Sequence, residues 1–157
     1  MNVKEMTTTA LIETFMQNSH AWNDEERTTL RNECRTELEE RFKKEFVIDE
    51  YDEITNMSEE EVRKTEAYKC AYKDIDEMDW SYTDISMNYC VLGDYFDEKD
   101  IVYDICESTM IPKPIVWLAM RDFKEKNPQY IDLAEKYVEN GFNAIEEEEF
   151  DEWLDSL

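Results

Sequence analysis

Apolar residues recur along this chain mostly at three- and four-residue steps, the period of one face of a helix. Leu11, Ile12, Phe15 and Met16 share such a face, and Thr7-Thr8-Thr9 ahead of them offers a hydroxyl cap. Leu30, Cys34, Leu38 and Phe42 follow at successive i+4 steps, a narrow seam for packing on a neighbour, with Asn23 and Glu26 as its capping box. After Phe46-Val47-Ile48 the segment Asp49-Glu50-Tyr51-Asp52-Glu53 predicts an acidic turn or a short extended piece. Ser58 and Glu61 form a second capping box, and Glu59, Glu60 and Glu61 fill a first turn that favours negative charge. The helix so opened carries Val62, Tyr68, Ala71, Tyr72, Ile75 and Met78 inward.

From Trp80 to Leu92 the pattern supports two periods. Ile85, Met87, Tyr89 and Val91 alternate like a strand, whereas Tyr82, Ile85, Tyr89 and Leu92 fit a helical face. A helix is preferred, because no second convincing strand exists to pair with it. Beyond Gly93, Asp97 caps a helix with Ile101, Ile105 and Cys106 on its apolar line. Pro112 and Pro114 break that helix, Pro114 suiting the first position of the next, which holds Ile115, Leu118, Ala119 and Phe123 and stops before Asn127-Pro128. Asn127 and Pro128 launch another, with Ile131, Ala134, Tyr137 and Val138 inward and Gly141 at its end. A last helix from near Asn143 places Phe150, Trp153, Leu154 and Leu157 together. These elements predict a mainly α, compact, bundle-like domain of about six or seven helices, with one short strand or hairpin at most. Residues 1–157 form a single acidic helical domain in this reading, subdivided into an N-terminal helical pair, 1–46, packed on a more acidic body, 47–157.

Charge changes the picture. The 157 residues hold 41 acidic and 17 basic side chains, a net charge of −24, alongside a hydrophobic fraction of 41% that suffices for a core. A net charge of about 2–8 keeps a small domain soluble, and the excess repels itself. Nucleic acid and anionic lipid are polyanions, so neither is expected as a direct partner; a basic protein is. Adaptation to high salt would explain acidity, but Lys outnumbers Arg by 11 to 6 and large apolar residues are plentiful. The charge is also uneven. Met1 to Glu45 carry 7 basic and 10 acidic residues, Phe46 to Ile111 carry 5 and 19, and Pro112 to Leu157 carry 5 and 12. The middle segment therefore holds more than half of the net charge.

Dedicated chemistry is hard to assemble from these residues. His20, the only histidine, sits without a surrounding motif near the end of the first helix, where an imidazolium suits the dipole. Cys34, Cys70, Cys90 and Cys106 are widely spaced, which points to reduced, buried thiols rather than zinc ligands or disulfides. Asp74 and Asp76 begin the alternation of an EF-hand loop, but Met78 and Asp79 fill the next ligand and glycine positions. Neither a phosphate-cradling loop nor a Glu-x-x-His pair is present. We therefore expect no enzyme, no cofactor and no metal site. Met1-Asn2-Val3-Lys4-Glu5 lacks the apolar core of a signal peptide and no apolar run could span a bilayer, so a cytoplasmic location without membrane partners is expected.

What remains is electrostatic. Carboxylates three or four residues apart on a helix lie about 5–6 Å from one another, comparable with the spacing of phosphates along a nucleic-acid strand. The candidate partner-binding rows are Asp49, Glu50, Asp52 and Glu53; Glu59 and Glu60; Asp74, Asp76, Glu77 and Asp79; Asp94, Asp97, Glu98 and Asp100; and Glu146, Glu147, Glu148 and Glu149. Trp80, Tyr82, Tyr95 and Phe96 lie among them as candidate aromatic anchors.

In composition the chain resembles small, very acidic, cysteine-poor phage and plasmid proteins that imitate DNA, the antirestriction and anti-CRISPR inhibitors. Locally, Asn140-Gly141-Phe142-Asn143 followed by Glu146-Glu147-Glu148-Glu149-Phe150 is similar in kind to the acidic C-terminal stretch of a prophage-encoded Cas nuclease inhibitor, over about a tenth of the chain. The resemblance implies a nucleic-acid enzyme, such as a Cas or restriction nuclease, as the target, and the cytoplasm of a phage's host as the setting. Composition alone leaves an alternative open, a helical adaptor or regulatory protein that binds a protein partner through an apolar groove. If the charge focus is functional, reversing Asp94, Asp97, Glu98 and Asp100 to Lys abolishes partner binding with the helical circular dichroism intact. The same reversal of Glu33, Glu37 and Glu40 costs much less.

Overall fold

A helix begins where a short polar side chain can accept a hydrogen bond from its first unpaired amides. The computed structural model describes residues 2–19, 23–77 and 98–127, the last stretch with side chains from 101 onward, and of the six α-helices among these the first four obey that rule. A single 3₁₀ turn, Val3–Glu5, precedes α1 (Thr8–Gln17), whose cap is Thr7 as the sequence predicts. Helix α2 (Glu25–Glu45) is capped by Asp24 rather than Asn23; the Asp24 carboxylate accepts from the Arg27 amide and brings to the helix dipole a negative charge that a neutral Asn lacks. The Ser58–Glu61 capping box is present in full, but the helix it opens, α3 (Glu59–Val62), lasts one turn. There the Thr65 hydroxyl donates to the Val62 carbonyl and accepts from the Tyr68 amide, which starts α4 (Glu66–Asp76) afresh. One expected helix is thus two. The four polar residues between Val62 and Ala67 mark the gap, but they also fit one solvated turn of a continuous helix.

Helix α5 (Glu98–Thr109) ends without a glycine: Met110 takes the left-handed conformation at φ 67° while the buried Thr109 hydroxyl bonds back to the Ile105 carbonyl. Pro112 then caps α6 (Lys113–Lys126), so Pro114 occupies the second helical position, one later than expected, and the helix stops before Asn127 as predicted. Between α2 and α3 the acidic segment folds as a tight hairpin closed by an antiparallel bridge, Ile48 to Ile54, and the described residues contain no longer strand.

The core gathers Leu11, Ile12 and Phe15 of α1, the predicted Cys34–Leu38–Phe42 seam of α2, Ala71 and Ile75 of α4, Ile101 and Ile105 of α5, and Ile115, Ala119 and Phe123 of α6. Of the expected inward set, Val62, Tyr68, Ala71 and Ile75 are buried, Met78 lies outside the described residues, and Tyr72 is half-buried, its ring 6.2 Å from that of Phe123 and 5.2 Å below the Lys126 ammonium. Helix α4 packs chiefly on α6, α2 on α1, and α5 on both α6 and α1. The expected helices over 80–92 and beyond Asn127, with His20, Gly93, Gly141 and the apolar set of the last helix, lie outside the described residues.

One carboxylate joins three elements. Asp122 of α6 is 7% exposed, and the Arg63 guanidinium grips both its oxygens at 2.9 and 3.1 Å while the Tyr68 hydroxyl donates to Oδ2 at 2.5 Å. The Arg63 bonds hold its carboxyl below the ordinary range, whereas burial, seconded by Asp122, raises Tyr68. A carboxyl whose folded pKa is lowered stabilises above the unfolded value of about 3.9, and that contribution is lost as pH falls through the lower folded value. Asp122→Asn should therefore lower the melting temperature at pH 7 by on the order of 5–10 °C with helicity retained, and the gap from the parent should close towards pH 2–3. Thermal melts across pH check both.

Candidate functional site

Where a carboxylate already serves the fold, it is not free to serve a partner. The acidic rows divide on that basis. In the hairpin the Asp49 carboxylate accepts from the amides of Tyr51 and Glu53 at 2.9 and 3.0 Å, and the Asp49 amide bonds the Glu53 carbonyl at 2.9 Å. Asn56 braces the base, accepting from the Val47 amide and donating to the Glu45 carbonyl. Asp49 is thus a turn residue. Glu50, Asp52 and Glu53 are exposed around Tyr51, whose side chain is 76% exposed at the tip. Asp52 holds the turn's left-handed position at φ 58°.

At the start of α3, Glu59 sits in the favourable first turn and receives both Arg121 nitrogens at 3.1 and 2.6 Å, a bond that draws its carboxyl down. Arg63 lies within 3.6 Å of Glu59 and 3.8 Å of Glu60. Local structure and neighbouring cations account for this row.

The row on α4 is different. Asp74, Asp76 and Glu77 occupy the last turn and C-cap, where the dipole already places negative charge and a cation would be favoured. Asp74 is half-buried, and its carboxyl is raised first by burial and then by Glu77. Among the described residues Lys73 offsets part of this charge: it pairs loosely with Glu77 at 3.9 Å, both side chains largely exposed, and draws the Asp74 carboxyl down. Glu13 of α1 faces the same hollow, about 330 Å³ between α1 and α4, with Cys70 on its wall. Cys70 is raised by burial foremost and then, with Thr9 opposing, by Asp74, Glu13 and Glu66. At the other end of α4, Glu45 is raised by burial and by Glu66. Glu13, Asp74 and Glu77 share the hollow with Lys69 and Lys73.

Glu98 and Asp100 fall in the first turn of α5; Asp79, Asp94, Asp97, Glu146, Glu147, Glu148 and Glu149 lie outside the described residues, as do the anchors Trp80, Tyr82, Tyr95 and Phe96. Among the described residues no cluster of His, Cys, Asp and Glu is arranged to hold a metal ion, and no helix is long and apolar enough to cross a membrane. Cys34, Cys70 and Cys106 are free thiols, and burial pushes Cys106 up to about 11.

The sequence does not locate the groove of about 930 Å³ that lies between the hairpin–α3 segment and α6. Ile54, Met57, Trp117 and Leu118 give it apolar lining, with Asp52 and Glu53 on the first wall and Lys113 and Lys124 on the second. The signal available was Lys113, Trp117, Arg121 and Lys124 at four- and three-residue steps, a helical stripe too rich in cations to register as a core face.

No protein-family model, characterised protein or solved structure matches the chain.

Because the folded Asp74 carboxyl titrates above its unfolded value, its protonated form favours folding, and that favour, complete below the unfolded pKa of about 3.9, is lost as pH rises through the folded one. Asp74→Asn removes the penalty of the ionised form. It should raise the melting temperature at pH 7 by about 1–3 °C, a gain that disappears in melts at pH 3.

Proposed function

We propose that the protein is a non-enzymatic inhibitor that presents nucleic-acid-like charge to the basic channel of a DNA- or RNA-handling enzyme, with Cas and restriction nucleases as the target class. The observation that supports this reading best is the carboxylate row Asp74, Asp76 and Glu77, set at a helix end where the dipole opposes it, with burial and then Glu77 raising Asp74. Acids placed against local stability are expected where function demands them. A net charge of −24 supplies the long-range field. Inhibition is by occupancy: carboxylates pair with the arginines and lysines that ordinarily hold phosphates, and opposite charge speeds the encounter.

The groove beside α6 favours a second reading, a helical adaptor that holds a protein partner mainly through apolar contact. The two respond differently to salt. In DNA-cleavage assays with a panel of purified Cas and restriction nucleases, charge imitation predicts inhibition that weakens at least tenfold between about 50 and 300 mM salt and is relieved by excess non-cleavable duplex. Reversing Asp74, Asp76 and Glu77 to Lys should relieve it too. Binding indifferent to salt and to DNA would favour the adaptor.

A further inference from the structure

Along α6 the residues Lys113, Trp117, Arg121 and Lys124 line one wall of the groove, a stripe of three helical turns about 17 Å long. The facing wall is fixed. Its hairpin is tied by the Asp49 carboxylate and by Asn56, and its α3 end is pinned to α6 by Arg121 on Glu59 and by Arg63 on Asp122. Both walls are therefore held before anything binds, which lowers the ordering cost of binding. Tyr51 stands at the rim, 76% exposed.

The two walls differ in sign. Asp52 and Glu53 are exposed on the hairpin side, and among the described residues no ion pair engages either; Lys113 and Lys124 stand on the helix side, joined near its C-terminal end by Glu125. A purely basic occupant meets the lysines, and a purely acidic one meets the hairpin as well as the field of the whole molecule.

From this we infer that the groove receives an amphipathic helix of a protein partner, about three turns long, with a bulky apolar side chain turned to Trp117 and Met57, Arg or Lys along its hairpin edge and Asp or Glu along its α6 edge. The inference extends the second of the two functional readings and is independent of the carboxylate row at the end of α4.

The test uses fluorescein-labelled, 14-residue helical peptides and the full-length protein, read by anisotropy. One peptide carries a Leu/Trp stripe between an Arg edge and a Glu edge; controls have both edges Arg, both edges Glu, or Ser in place of the apolar stripe. The two-signed peptide should bind at least tenfold more tightly than every control. Trp117→Ala should weaken it about tenfold, and Tyr51→Ala, a change at an exposed site that leaves the core intact, about threefold or more. Reversal of Asp74, Asp76 and Glu77 should leave it unchanged.

Binding of the all-Arg peptide that equals or exceeds this, ignores Trp117→Ala and vanishes on the α4 reversal would overturn the inference while leaving the charge-imitation reading standing. Absence of binding by every peptide would overturn it as well. So would self-association in sedimentation that Trp117→Ala abolishes, since a second copy would then be the occupant.

Discussion

A chain with 41 acidic and 17 basic residues folds against its own repulsion, so where it places its few cations decides what can pack. Four of the six arginines sit at joints, while Arg31 and Arg35 bond within α2. Arg27 reaches from the start of α2 to the Asn18 side chain and the Gln17 carbonyl at the end of α1, and Arg41 from the far end of α2 to Thr8 and the carbonyls of Val3 and Lys4. Arg63 and Arg121 lock α3 onto α6 through Asp122 and Glu59. A planar guanidinium suits such work, offering several donors in fixed geometry without losing its charge. Lysines are left for surfaces.

This division also sorts the acids. Asp24, Asp49, Glu59, Glu61 and Asp122 each have a local structural use, as helix cap, turn, clasp, capping box or buried anchor. In the row at the end of α4, Glu77 pairs loosely with Lys73, and among the described residues no such ion pair or hydrogen bond involves the Asp74 or Asp76 carboxylate. Net charge treats all of these alike. The fold shows that these five acids serve the architecture.

Helix positions were legible where two signals coincided, as at Ser58 and Glu61 ahead of Val62, or Thr7 ahead of Leu11. The α2 seam was legible because i+4 spacing needs only one neighbour to explain it. The break at Thr65 was not, since the four polar residues between Val62 and Ala67 equally fit one solvated turn of a continuous helix, and only the Thr65 hydroxyl bonds reveal the restart. Nor was the role of Asp122: an acid amid Ile115, Ala119 and Phe123 looks like any solvated residue until the chain brings Arg63 and Tyr68 to it from 59 and 54 residues away. Long-range polar pairs leave no periodic trace. The groove escaped notice for the same reason, because its walls come from distant segments and its α6 stripe is half cationic.

The tip of the hairpin carries a constraint of its own. Asp52 sits at φ 58°, a backbone state from which branched and bulky residues are largely excluded and which Gly, Asn and Asp tolerate. Of those three only Asp contributes a negative charge. Stereochemistry and electrostatics therefore narrow this one position together, and in evolutionary variants that keep the turn, a shift from Asp to Asn or Gly would silence the charge while sparing the shape.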